Sequence, residues 1–390
     1  MACLTTGTLS HSTSPRERER RHSLLRAAMS EAGYDALVIY GRGDEFVRGR
    51  IQYVSDIFTW AGWAIVVLSA NGHAVFIADP LFGLGRAAIV DWITDLRMTQ
   101  DPGKGIADIL SDLRIASGSI GVVGLADIVC VGHFQQMRAA SPRVTWADAT
   151  DLFDDARAVK SQEEIDNFHQ TSAILRSVFK GLEAEIRPQV MESDVLAEAH
   201  KMCRQYGCVD GIALMGRPPF RTFSPGSNGV IERDDIIVVD LEWGGPSGYW
   251  VELRRVFSFG APPDPAKRFW ETRVETFAAC VDAMKAGNSS DDILVARDRV
   301  YGKHGQSATG VLNYTAHGIG LDSLEPPWVP GKSRALKENM VINLHPAIQF
   351  ADRSEGLALG GISIADNILV GRDGGIRMTD PVDEWVQLEP

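Results

Sequence analysis

The stretch Ile236–Phe257, IIVVDLEWGGPSGYWVELRRVF, places Asp240, Glu242, Glu252 and Arg254 among apolar and aromatic residues. Side chains two apart along an extended strand share a face. Asp240 and Glu242 therefore point one way, and Glu252 and Arg254 do the same on a return strand. The intervening Gly-Gly-Pro-Ser is turn chemistry, so an antiparallel pair brings the two sets together. Carboxylates on strands otherwise built of Ile, Val, Leu and Trp are costly to bury unpaired. Such a pattern makes either a carboxylate-lined site or a plain structural feature, a solvated face or an ion pair with Arg254. Register decides which of Asp240 and Glu242 enters a pocket, because a slip of one residue reverses the face.

Two downstream segments add histidines. In Ala316–Trp328, AHGIGLDSLEPPW, His317 precedes Gly-Ile-Gly, a place where backbone approaches something closely. Glu325 and the double proline then fix a rigid exit. In Met340–Ile348, MVINLHPAI, an apolar strand ends in His345-Pro346. A single histidine is more often an ordinary core residue, but two of them beside three acidic strand positions point to acid–base or metal chemistry.

The elements that must position these groups fall into two halves. A chain of 390 residues suits two domains, and its composition is that of a globular protein with ample core. A net charge of −12 argues against nucleic acid or an anionic membrane as partner. No apolar run reaches the length of a membrane span, and the N-terminal stretch lacks the apolar segment of a secretory signal. The five cysteines, odd in number and without metal-type spacing, fit reduced thiols in a cytoplasm. No Walker loop, dinucleotide fingerprint or nucleophile elbow is present. Residues 1–13 read as a flexible tail. Ser14-Pro15-Arg16-Glu17 reads as a capped helix start, and YDALVIYG, a hairpin around Ala70-Asn71-Gly72 and SIGVVGL read as strands. Residues 14–155 thus form an α/β domain. From Ser161 a long amphipathic helix opens a second, α+β domain over 156–390, which holds every site-like segment.

The segments RAVKSQEEIDNF, DDIIVVDLEW…GYWVELRRVF, HGIGLDSLEPPW, MVINLHPAI and ISIADNILVGRDGG resemble, in order, the creatinase / Xaa-Pro aminopeptidase / methionine aminopeptidase superfamily. That resemblance implies an α/β N-terminal domain, an α+β pita-bread catalytic domain and a homodimer. It also implies, for the metallopeptidases, two divalent metals held by two aspartates, one histidine and two glutamates. This chain departs from that set. Glu252 stands where the second aspartate belongs, His345 replaces one glutamate, and Ala365 replaces the other before Asp366. Leu324 replaces a further histidine, and the upstream substrate-side histidine gives way to Arg221, Phe223 and Ser224. The Asp-x-acid spacing is similar to that of the dimethylsulfoniopropionate lyases of the superfamily. Removing one bridging carboxylate and replacing another with imidazole strips about two negative charges from a cage that must offset roughly four positive ones.

These departures lead to the expectation of a creatinase-like hydrolase without a resident cofactor, cleaving a carbon–nitrogen bond of a small guanidino, amidine or amide acid. A single divalent metal, iron or zinc, on Asp240, Glu242, Glu252, His317 and His345 is the alternative ligation. Glu252 is the candidate base or nucleophile, and His317 the proton donor or water positioner. Asp240, Glu242, His345 and Glu325 complete the catalytic set. Arg221 or Arg254 would hold a substrate carboxylate, and Tyr249, Trp243 and Trp328 would wall a small-molecule pocket. The competing functions are a lyase with one bound metal, an Xaa-Pro metallopeptidase and a non-catalytic binding module.

Overall fold

The computed structural model describes residues 13–44, 46–81, 83–84, 90–115, 117–307, 315–325, 333–379 and 385–389. The chain divides into two compact units, Met1–Arg157 and Ala158–Pro390.

The first unit opens with α1 (Pro15–Ala32), started by the Ser14 cap, whose hydroxyl accepts the Glu17 N–H, and ended by Gly33 at φ 72°. Thr13, assigned from sequence to the flexible tail, is instead buried, with its N–H and hydroxyl both bonded to Asp56. The unit then runs β1 (Ala36–Arg42), α2 (Gly49–Ser55), β2 (Trp63–Ser69), β3 (Ala74–Ala78), β4 (Asp95–Met98), α3 (Pro102–Asp112), β5 (Ser119–Val123), α4 (Val131–Ala140), β6 (Thr145–Asp148) and α5 (Thr150–Ala158). The strands form one mixed sheet in the order β4-β3-β2-β1-β5-β6. Near-continuous apolar runs such as Ala36–Tyr40 are buried because helices cover the sheet.

The second unit begins with α6 (Gln162–Leu182), entered through a capping box in which Ser161 and Glu164 bond each other's backbone. It continues α7 (Glu192–Gln205), β7 (Asp210–Gly216), β8 (Ile236–Gly244), β9 (Trp250–Phe259), α8 (Asp264–Ala283) and α9 (Ser290–Lys303). Then come β10 (Ala316–Gly318), β11 (Val341–Leu344), α10 (Arg353–Leu359), β12 (Asp366–Val370), β13 (Gly375–Arg377) and β14 (Trp385–Leu388). The strands make two four-stranded sheets, β14-β9-β8-β7 and β10-β11-β12-β13. The Arg254 N–H reaches the Ala365 carbonyl at 3.2 Å, and Asn343 donates to the Glu252 carbonyl at 3.0 Å, so β9 is stitched to the second sheet. This is the α+β pita-bread arrangement, with helices outside and the charged face of β8 and β9 turned to the other sheet.

Candidate active site between the two sheets

The register of β8 and β9 sets Asp240 opposite Arg254 and Glu242 opposite Glu252. Both acidic positions of β8 therefore belong to one charged face, and Asp240, Glu252 and His317 are each 5–6 % exposed. The choice between Asp240 and Glu242 that the sequence posed does not arise. They share a face by strand period and meet different partners.

Arg254 donates through one terminal nitrogen to Asp240 and to Glu252 (3.2 Å), and through the other to the Ser363 hydroxyl (3.1 Å). Ser323 donates to Glu242. His317 lies with Nε2 3.3 Å from Glu252 and Nδ1 3.0 Å from the Gly318 carbonyl. Both of these partners only accept, so an uncoordinated ring is held with a proton on each nitrogen. His345 sits just past β11 with its ring centre 5.2 Å from that of His317. One donor atom each from Glu252, His317 and His345 fall within 4.8 Å of one another.

Burial sets up a split among these groups. It lifts the Glu242 carboxyl to about 8, with the neighbouring Glu252 charge adding to the rise. It lifts Asp240 to about 6 despite Arg254. Burial would raise Glu252 as well, but the positive charge of the imidazoles and Arg254, with the His317 hydrogen bond, outweighs it and holds Glu252 at about 2. Burial lowers His345 to about 4, so it is neutral near pH 7. His317 goes up, because the Glu252 bond and charge overcome its own desolvation.

The two-metal cage of the resembling peptidases does not fit this donor set. Ala365 offers a buried methyl in place of a carboxylate, His345 offers imidazole, and the Arg254 guanidinium lies against both Asp240 and Glu252. One divalent cation does fit the Glu252–His317–His345 cluster. The Nδ1–H of His317 on the Gly318 carbonyl would fix the tautomer and leave Nε2 to face it.

The remaining sequence candidates lie elsewhere. Glu325 accepts from Lys160 at 2.8 Å and from the Leu321 N–H at 2.9 Å, so its carboxylate braces the loop rather than meeting Glu252. Tyr249 spends its hydroxyl on Glu164 at 2.8 Å and packs on Phe168, at the turn end of the hairpin. Trp243 alternates to the opposite face of β8, against His200 and beneath Arg204. Arg221 is exposed, whereas Arg254 is the arginine of the cluster. Trp328 lies outside the described residues. Ser323, Ser363 and Asn343 complete the site and were missed. Only Ser323 gave a signal, two residues before Glu325 in the His317 segment.

The model of the Creatinase/Prolidase N-terminal domain matches residues 21–159, and that of Metallopeptidase family M24 matches 166–372. "Probable dipeptidase PepE" of Mycobacterium bovis is 26 % identical over 384 residues, 94 % of this chain and 96 % of that protein. An Xaa-Pro dipeptidase of Pyrococcus furiosus is 26 % identical over 239 residues, 59 % of this chain and 65 % of its own length. Among solved structures, the X-Pro aminopeptidase of Thermotoga maritima superposes with a TM-score of 0.80 at 21 % identity, over 94 % of this chain and 99 % of that one. That superposition supports the fold described above, and the matched family model covers most of the second unit, including the strands that carry Asp240, Glu252 and His317. The chain belongs to metallopeptidase family M24.

Proposed function

We propose that this chain is a hydrolase that cleaves a peptide-type carbon–nitrogen bond in a small polar substrate, at a centre holding one divalent cation on Glu252, His317 and His345. The observation that carries the reading is the convergence of those three donors within 4.8 Å in a chain of family M24. Relatives named as dipeptidases favour a peptide bond over the guanidino and amidine bonds among those expected from sequence, and hydrolysis over elimination. A cation there would polarise a substrate carbonyl and make water acidic enough to attack. Glu242, opposite Glu252 and bonded by Ser323, is the carboxyl placed to hand a proton to the departing nitrogen. Carboxyls pushed this far apart argue against a purely non-catalytic binding module. The same reading carries a cytoplasmic homodimer, as the resemblance and the cysteine usage imply.

A second reading, acid–base hydrolysis without metal, is favoured by one observation: His317 bonds Glu252 directly, which would leave Glu252 as base and His317 as proton donor. The test is amine release from a panel of Xaa-Pro and other dipeptides, acyl amino acids and guanidino acids, with the chain chelated or reloaded with zinc or iron(II). The expected result is peptide cleavage that returns only on reloading. Glu252→Gln should lower kcat by about 10²–10⁴-fold while circular dichroism stays unchanged. Guanidino cleavage that survives exhaustive chelation would select the metal-free reading instead.

A further inference from the structure

Arg254 lies on the charged face of β8 and β9 among the carboxylates that, by the resemblance, a two-metal site would use. Its guanidinium touches Asp240 and Glu252, donates to Ser363 at 3.1 Å, and lies 4.9 Å over the Phe223 ring. Its backbone is locked to Ala365, the position where the resemblance implies a glutamate, by the 3.2 Å N–H to carbonyl bond. The side chain is clamped on three sides, so the positive charge is fixed rather than swinging. A glutamate at 365 would bring a carboxylate toward this guanidinium, and alanine leaves the space to it.

We infer that Arg254 is a resident cation that stands in for the second metal, so the chain takes one divalent ion and cannot take two. The inference rests on the single-cation reading of the Glu252–His317–His345 centre, but it concerns the contacts of Arg254 with Asp240 and with the Glu252 oxygen that does not face His317. A covalently attached charge cannot dissociate, so the neutralisation of Asp240 and Glu252 by Arg254 is independent of metal supply. It also cannot act as a Lewis acid on substrate, which restricts this half of the site to holding charge. An anionic group of a substrate approaching Asp240 would find the guanidinium already shared between two carboxylates. A substrate carboxylate, the ligand expected of Arg254 from sequence, would compete with these two carboxylates for the same terminal nitrogen.

The test is isothermal titration of zinc ion alone into the full-length, chelator-stripped chain, for the parent, Ala365→Glu and the double variant Arg254→Met/Ala365→Glu. The expected result is one zinc for the parent, one for Ala365→Glu, where the restored carboxylate pairs with Arg254, and two for the double variant. Two zinc ions in the parent or in Ala365→Glu would overturn the inference, as would a folded double variant that gains none. No zinc in the parent together with a gain in the double variant would sink the single-cation reading and leave the role of Arg254 standing. If the double variant fails to fold by circular dichroism, the parent and Ala365→Glu decide the matter.

Discussion

Glu242 is the residue whose surroundings make the strongest demand on pH. Its folded carboxyl titrates at about 8 against an ordinary 4.5. The folded chain therefore binds this proton more tightly than the unfolded chain does. The associated stability is complete below 4.5 and is lost as pH rises from there through about 8. Asp240, lifted from 3.8 to about 6, acts in the same direction over a lower window. Glu252, held at about 2, acts oppositely: its contribution is present above 4.5 and fades as pH falls toward 2. Glu242→Gln isolates the first of these. In melts with chelator present, the variant should match the parent at acid pH, exceed it by an amount that grows from about 4.5 to about 8, and keep a constant lead above that. Parallel curves for the two chains would show that Glu242 carries no buried proton. The charged face itself was legible, because a period of two dictates that Asp240, Glu242, Glu252 and Arg254 come together once β8 and β9 pair. The same parity read onward would have sent Trp243 to the far side, where it packs on His200. Arg254's partner Ser363 and the Asn343 contact were not legible, since they arrive from the segment before β12 and from β11, about 100 residues away, and no local pattern encodes that meeting.

At the scale of elements, the loop after β10 shows how a correct physical cue can point to the wrong partner. The Gly-Ile-Gly predicts a close backbone approach. A Cβ at Gly320 would indeed lie 2.3 Å from the Glu325 carboxylate oxygens. What approaches is Glu325, reaching back to the Leu321 and Asp322 N–H groups while Lys160 neutralises it from the start of α6. The loop thereby holds both His317, at its entry, and Ser323, within it, against the carboxylates of β8 and β9. Both members of the Lys160–Glu325 pair are nearly inaccessible, at 3 % and 2 % exposure. Lys160→Met would remove the cation paired with the buried Glu325 carboxylate, a change worth about 3–5 kcal/mol. Denaturant melts should show that loss, and adding Glu325→Gln should recover much of it. A loss within the about 0–1 kcal/mol of an exposed pair would mean that the brace does not hold the loop. Helix positions were the easiest elements to read. The Ser14 and Ser161 caps and the Pro15 start are local chemistry that needs no distant partner.

At the scale of the molecule, the described members of the cluster fall in the second unit. Glu252, His317, His345 and Arg254 all lie in Ala158–Pro390, which has its own apolar clusters, while the sheet of Met1–Arg157 has another. A ligand that binds only the folded form of a unit stabilises it by mass action, by about 2.7 kcal/mol at a hundredfold excess over Kd. For amides that exchange only on opening of the whole unit, this corresponds to slowing by roughly a hundredfold. Zinc at that excess should therefore slow hydrogen exchange in β8, β9, β11 and β12. The cores of β1, β2 and β5 should exchange as before, because no ligand of the centre comes from them. The contrast tests the location of the cation without relying on turnover, and it separates true ligation from loose attraction to a chain of net charge −12. Loose attraction would be screened by salt and would protect neither sheet selectively. Slowing confined to the N-terminal strands, or equal in both units, would remove the Glu252–His317–His345 cluster as the cation centre. Slowing confined to the second unit and lost in His317→Ala would tie the cation to the ring that faces Glu252.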